Sequence, residues 1–370
     1  MNKNIKIPFV DLYPQYEECK TEIDSAIADI IGRSDFITGP TVDKFEQAIC
    51  NYTGAEACAS MGSGTNSLVC ALRALDIGTG DTVWTVGHTF VSTTESIVNV
   101  GATPHFVDID EFYLFDLEQV TDFNPECPPS AILFVDLYGQ TPDIDRLKKF
   151  AKKYNIKLIE DAAQSFGAEY KGKKVGSLVD LTCFSFNPVK NLGAMGDAGA
   201  VTGSAKLIER VKMYRDHGRK TKFQYEDVGY NSRIDNLQAV ITQAKLSKID
   251  TWLEKKRQIC RRYTAELDGI VKCPKEAPWG LHSYYVYVIE TPKGTRDELA
   301  NFLKTKGIAT NVHYKNPTHK TKAFREYSME KLTRTEYVCD NILSLPCYHT
   351  LPTHWQDYII KSIKEFYDKH

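Results

Sequence analysis

The sequence of 370 residues predicts an α/β protein, with a mostly parallel seven-stranded sheet flanked by helices and a smaller α+β domain after it. Two observations lead there. From residue 40 to residue 245, short β-branched or aromatic runs alternate with segments of helical periodicity, and most of these runs are apolar almost throughout, as strands covered on both faces are. After Ser247 the texture changes to a long charged amphipathic segment.

The expected strands cover residues 55–60, 81–85, 103–108, 130–136, 157–161, 181–186 and 199–202. Between them, residues 64–75 and 143–154 carry apolar side chains at helical spacing, and IDRLKKFAKKYNI ends on a basic turn that suits a helix C-terminus. DTWLEKKRQICRRYTAEL reads as a connecting helix and SYYVYVIE as a strand. RDELANFLKTKG reads as a helix closed by Gly307, with IATNVHY a short strand after it. DNILSLPCYHTLP reads as a turn-rich loop and HWQDYIIKSIKEFYDKH as the final helix. The division falls near residue 248, giving a large unit over 1–247 and a small one over 248–370. A chain of this length buries ample apolar area, so neither unit needs disulfides or a metal to fold.

Forty-six basic residues balance 48 acidic ones for a formal charge of −2. No global field then favours nucleic acid or an anionic membrane, and any anion must be bound locally. The ten cysteines form no CxxC pair and no zinc-type spacing. Several sit in apolar runs such as VCAL and TCFSF, where a free thiol acts as a small hydrophobe, which favours a reducing compartment. Met1 to Lys6 is polar and basic without the apolar run of a signal peptide, and no window reaches transmembrane length. The expected location is cytoplasmic.

Ligands of open parallel sheets sit outside the carboxyl ends of the strands, and three motifs fall there. MGSGTNSL, residues 61–68, joins a strand to a helix, so Gly62, Gly64 and the following amides can approach a phosphate, with Thr65 adding a hydroxyl. It can equally be an ordinary tight turn or a dinucleotide fingerprint, although the region some twenty residues on reads DTVWTVGHT and offers no acidic strand end for a ribose.

KLIEDAAQSFGA, residues 157–168, ends a strand in Glu160 and Asp161; a carboxylate there needs a cationic or hydrogen-bonding partner, or serves as a helix N-cap. Gln164 lies one turn further on. In CFSFNPVKNLGAMGDAGAV, residues 183–201, Ser185 ends a strand, Pro188 stiffens the turn, and Gly193, Gly196 and Gly199 leave little bulk around Lys190. A lysine shielded from water has a lowered pKa and attacks carbonyl carbon as a neutral amine, although most lysines are simply solvated. One small molecule needs a phosphate cradle, a buried carboxylate and a nucleophilic amine together: pyridoxal phosphate.

Over nearly its full length the chain resembles the DegT/DnrJ/EryC1/StrS aminotransferases, sugar aminotransferases of pyridoxal-phosphate fold type I. IPFVDLYPQYEECKTEI, FITGPTVDKFE, GSGTNSL, GHTFVSTTESI, VDLYGQ, IEDAAQSFGAEYKGKKVG, SFNPVKNLGAMGDAGAV, GYNSRIDNLQAV and NVHY resemble that family's signatures in its order. The resemblance implies that Lys190 holds the cofactor carbonyl as an imine and then moves the proton between carbon centres. It further implies that Asp161 pairs with the pyridinium nitrogen, Gln164 bonds the ring hydroxyl, Phe90 stacks on the ring, and Gly64, Thr65 and Ser185 hold the phosphate. Asn231 would reach the neighbour's phosphate across a homodimer, and His313 and Tyr314 would face the substrate. Taken without the resemblance, these are a core phenylalanine, a turn residue after Gly229 and a strand-end histidine. Ala198 and Ser67 depart mildly from the family pattern and put only loop packing in question.

The implied reaction is transamination from L-glutamate, which leaves as 2-oxoglutarate, to a nucleotide-linked keto-sugar in amino-sugar biosynthesis for surface glycans. The motifs VDL, QYEE, VDLYGQ and DAAQSFGA resemble members acting on 3-keto more than on 4-keto sugars. Three alternatives stand beside it. A sugar dehydratase on this scaffold has histidine where Lys190 stands. A nicotinamide-dependent oxidoreductase would use MGSGTNS for a dinucleotide. A non-catalytic regulatory protein on the same fold would lack Lys190 or Asp161.

Overall fold

The protein is described by a computed structural model covering residues 6–120, 123–327 and 331–369. Most of the polar opening Met1 to Lys6 therefore lies outside the described residues. After a short helical turn over Tyr13–Glu17 come helices α1 (Lys20–Arg33) and α2 (Pro40–Thr53). Pro40 opens α2, where its missing N–H has no intrahelical partner to lose, and Gly54 closes it at φ 74°.

The sheet then builds in chain order: β1 (Ala57–Met61), α3 (Gly64–Ala74), β2 (Thr82–Val86), α4 (Val91–Asn99), β3 (Thr103–Val107), β4 (Ala131–Val135), α5 (Ile144–Tyr154), β5 (Lys157–Asp161), β6 (Leu181–Ser185), β7 (Gly199–Gly203) and α6 (Ala205–Arg215). All seven expected strands are present. Their spatial order is β1-β7-β6-β5-β4-β2-β3, with β2 to β6 parallel to one another and β7 antiparallel to both β1 and β6. The fold is the α/β architecture that the sequence predicts.

Residues of β4 show why. Ile132 and Phe134 enter one hydrophobic cluster with Trp84 and Phe184, while Ala131 and Leu133 enter another with Ala59, Val83 and Val201. Side chains alternate between faces, so a strand packed on both must be apolar at every position. The register sets Val135 beside Asp161 and Asp161 beside Cys183. The carboxyl ends of β4, β5 and β6 therefore lie in line, and the candidate residues sit along that edge.

Beyond the sheet come α7 (Asn236–Leu246), α8 (Ile249–Leu267), β8 (Tyr287–Glu290), α9 (Arg296–Thr305), α10 (Thr333–Asn341), β9 (Ile342–Leu345) and α11 (Thr353–Tyr367). A third cluster forms here from Tyr263, Tyr287, Leu299, Leu343, Ile359 and others, with Ile7 of the opening segment added. Helix α8 belongs to two clusters: Ile249, Trp252 and Leu253 pack with the sheet, and Cys260, Tyr263 and Leu267 pack with the C-terminal elements.

Two expectations are corrected. Residues 308–314 do not form a strand; Ile308 bridges Ile7 and Asn311 bridges Ser344, and nothing continues either ladder. The segment read as a turn-rich loop contains β9, which pairs antiparallel with β8. ILSL supplies apolar residues for both faces, and the ladder stops where Pro346 has no N–H to donate. The ten cysteines are free thiols, nine of them buried. No described helix is long and apolar enough to cross a membrane.

Candidate active site

At the carboxyl edge of β4 to β6 lies a cavity of about 680 Å³, lined by Gly64, Thr65, Phe90, Asp161, Gln164, Ser185, Lys190, His313 and Tyr314 among others. Nine of the ten residues singled out from the sequence thus meet in one place. The tenth, Asn231, does not. It is exposed, bridges Asp216, and accepts a hydrogen bond from Arg233 at 2.8 Å.

One end of the cavity is the N-terminus of α3. Ser63 caps the helix by accepting the Asn66 N–H at 3.2 Å, which leaves the first amides, those of Gly64 and Thr65, without helical partners. A Cβ on residue 64 would lie 2.7 Å from the Cβ of Ser185, so only glycine lets the helix start this close to the end of β6. Ser67, one of the family departures, donates to the Ser63 carbonyl at 3.0 Å and so ties the same turn. The end is shaped for an anion with several oxygens.

Asp161 ends β5 and is 5 % exposed. Its carboxylate accepts from the Thr93 hydroxyl at 2.7 Å and from the Ala163 N–H at 3.2 Å. Burial raises its pKa, while those hydrogen bonds and the charge of Lys190 pull it back. Such a group wants a cationic donor opposite it.

Lys190 leaves a loop that doubles back so tightly that a Cβ on residue 193 would lie 2.3 Å from the Pro188 carbonyl oxygen. That is the physical need for Gly193. The Lys190 side chain as a whole is half-buried, but protein crowds its amine, whose pKa burial lowers to about 8 against the opposing pull of Asp161. The amine lies 4.4 Å from the centre of the Tyr285 ring.

The far wall comes from the C-terminal elements. His313 is neutral at pH 7, its pKa lowered to about 4 by burial and by Lys190. Asn311 Oδ1 accepts the Val312 N–H at 2.8 Å, so its Nδ2 faces His313 Nε2 at 3.3 Å, and His313 Nδ1 donates to Ser344 Oγ at 2.8 Å. The Tyr314 hydroxyl accepts from Gln164 Nε2 at 2.8 Å, and the Tyr314 ring lies 5.8 Å from that of Phe90. Phe90, 52 % exposed, presents a free face to the cavity.

Sequence reasoning missed three residues that the fold brings here. Thr93 stands three residues after Phe90 in HTFVST, and that helical spacing was the available signal. Tyr285 lay inside a run read only as a strand. Tyr138 follows β4 within VDLYGQ, a motif quoted for its resemblance without a role for the tyrosine.

The sequence model of the DegT/DnrJ/EryC1/StrS aminotransferase family matches residues 17–364. The chain belongs to this family. It is 39 % identical, across 98 % of its length and 99 % of the relative, to a pleiotropic regulatory protein of Geobacillus stearothermophilus. It is 35 % identical, over 95 % of each chain, to the UDP-N-acetyl-3-dehydro-α-D-glucosamine 3-aminotransferase of Acidithiobacillus ferrooxidans. The crystal structure of DesV from S. venezuelae superposes with a TM-score of 0.94 at 33 % identity, covering 98 % of this chain and 99 % of that one.

The protein is thus a sugar aminotransferase of the pyridoxal-phosphate fold, and pyridoxal phosphate is its cofactor. The cavity fits that group: a helix N-terminus that begins on a glycine, a buried carboxylate, and an amine with a lowered pKa converge on it.

Proposed function

We propose that the protein transfers an amino group from L-glutamate to C3 of a nucleotide-linked 3-keto-sugar, with release of 2-oxoglutarate. The observation that carries the reading is the meeting of Lys190 and Asp161 in one cavity with the start of α3. The bound cofactor supplies a carbonyl that receives the amino group and a ring that accepts the electron pair left when a carbon-bound proton departs. Lys190 first anchors it, then takes the donor's α-proton and returns a proton to the sugar carbon. An amine with a pKa near 8 holds both protonation states close to neutral pH, as such a shuttle requires.

Asp161 keeps the ring nitrogen protonated, and Gly64, Thr65 and Ser185 hold the phosphate. Phe90 packs on the ring face, and Gln164 addresses the ring hydroxyl. His313 and Tyr314 face the sugar. Preference for the 3-position follows the resemblance of the motifs and the name of the Acidithiobacillus relative; a 4-keto-sugar is the competing substrate. A purely regulatory protein has no use for a lowered amine beside a buried carboxylate.

The working form is a homodimer with shared sites. Asn231 lies outside its own cavity and is exposed, as a residue serving a second copy must be, and the apolar Phe223, Tyr225 and Val228 nearby in sequence are exposed too. The free thiols suit a reducing cytoplasm. The division into units over 1–247 and 248–370 belongs to the same proposal.

The test is incubation with L-glutamate and a panel of 3-keto and 4-keto sugar nucleotides, with mass detection of the amino product. A 3-amino product from wild type and none from Lys190→Ala is expected. Wild-type turnover by the folded Lys190→Ala variant would refute the assignment.

A further inference from the structure

Tyr138 is 2 % exposed and takes a left-handed conformation, φ 64°, in the turn three residues past the end of β4. Its backbone serves two walls of the cavity at once. The N–H donates to Gln164 Oε1 at 2.8 Å, and the carbonyl accepts the Tyr285 N–H at 2.8 Å. Its hydroxyl serves a third, meeting His88 Nε2 at 2.6 Å and the carbonyl oxygen of His313. His88 Nδ1 in turn lies 3.3 Å from the Cys339 thiol.

The direction of each bond follows from chemistry. The His313 carbonyl can only accept, so the single phenolic proton of Tyr138 goes there. His88 must then donate from Nε2 to the Tyr138 oxygen. His88 is fully buried and uncharged, its pKa lowered to about 3, so it carries one ring proton; Nδ1 is left as an acceptor, and Cys339 donates to it. A one-way chain runs Cys339, His88, Tyr138, His313 carbonyl. It starts on α10, passes through the loop before Phe90 and the turn after β4, and ends on the peptide that joins His313 to Tyr314.

We propose that Tyr138 is a positioning residue for the keto-sugar half of the reaction, its hydroxyl fixing the His313–Tyr314 peptide while its N–H fixes the Gln164 amide that meets Tyr314. Gln164 must present Oε1 to Tyr138, so Nε2 points to the Tyr314 oxygen. Both ends of the Gln164–Tyr314 contact are thereby set by one residue that does not itself line the cavity. The assignment of a half-reaction rests on the proposed function; the chain of protons does not.

The test uses the dimeric holoenzyme and Tyr138→Phe, which keeps the ring and the backbone bonds and removes only the hydroxyl. The two half-reactions are followed separately through the cofactor's absorbance. The expected result is a KM for the keto-sugar nucleotide raised by about tenfold, the factor set by one hydrogen bond, with kcat, cofactor content and the L-glutamate half-reaction within about twofold of wild type. Unchanged KM overturns the proposal, and so does an equal loss in both half-reactions with loss of cofactor, which is the mark of a merely structural role. In parallel, nitrogen-15 NMR of histidine-labelled protein, assigned with His88→Gln, must show His88 protonated at Nε2; an Nδ1-protonated ring refutes the chain. If wild type aminates no sugar nucleotide, the functional reading fails while the NMR result still decides the chain.

Discussion

Gln164, one turn past the end of β5, donates its amide N–H to the hydroxyl of Tyr314 at 2.8 Å, so a residue of the sheet edge grips a residue of the C-terminal elements. The Tyr314 oxygen is used as an acceptor, which leaves its own proton free to donate. Tyr314→Phe keeps the ring beside Phe90 and removes that proton. It is expected to retain cofactor and to lower turnover of the keto-sugar by about tenfold to a hundredfold. Full activity in steady-state assays would exclude Tyr314 as a donor.

Asp161 and Thr93 form the second prediction. Asp161→Asn should cost at least about a hundredfold in kcat, because a neutral amide cannot keep the ring nitrogen protonated. Thr93→Val removes a hydroxyl that holds the Asp161 pKa down. The acid limb of the kcat/KM profile must therefore move to higher pH in Thr93→Val and return in Thr93→Ser. A profile that stays in place disconnects Thr93 from the chemistry.

Lys190 fixes a pH dependence in the cofactor-free protein. Its folded pKa is lowered from 10.5 to about 8, so its neutral fraction grows as pH rises through 8. Recombination with pyridoxal phosphate should accelerate across that range and level off above it, read by stopped-flow absorbance. Between pH 8 and 10.5 the unfolded chain binds more protons at this lysine than the folded chain does, so the Lys190 contribution to stability rises with pH there. Its removal in Lys190→Ala should flatten the rise in a thermal-melt series.

A shared site makes a distinctive prediction about mixtures. A heterodimer of one Lys190→Ala chain and one Asn231→Ala chain holds one intact site, with Lys190 from the second chain and Asn231 from the first. Co-expression should yield activity above either parent and up to about half that of wild type, since one of two symmetric sites is restored. Mixtures no better than their parents would place Asn231 outside the neighbour's site.

The seven strands of the sheet were legible because burial on both faces leaves a plain trace: β4 is AILFV, with no position spared for polarity. The start of α3 and the loop of Lys190 were legible because glycine is required where an added Cβ would lie 2.7 Å from Ser185 or 2.3 Å from Pro188. Strand β9 was hidden because Asn341 before it and Pro346 after it look like turn residues, and its four residues have no partner in the local sequence. Tyr138 was hidden for a related reason. Its partners His88, Gln164, Tyr285 and His313 stand 26 to 175 positions away, and no periodicity records a contact of that range.

Helix α8 has one further meaning for anyone recombining members of this family. Its 19 residues form a single girder about 28 Å long at 1.5 Å per residue, socketed at Trp252 in one half of the molecule and at Tyr263 in the other. A chimera grafting a foreign C-terminal portion at residue 248 would bring the Trp252 end into a socket it did not evolve with. Moving the seam past Leu267 shifts the mismatch to the other end, so transplanting substrate preference calls for repacking one socket along with the graft.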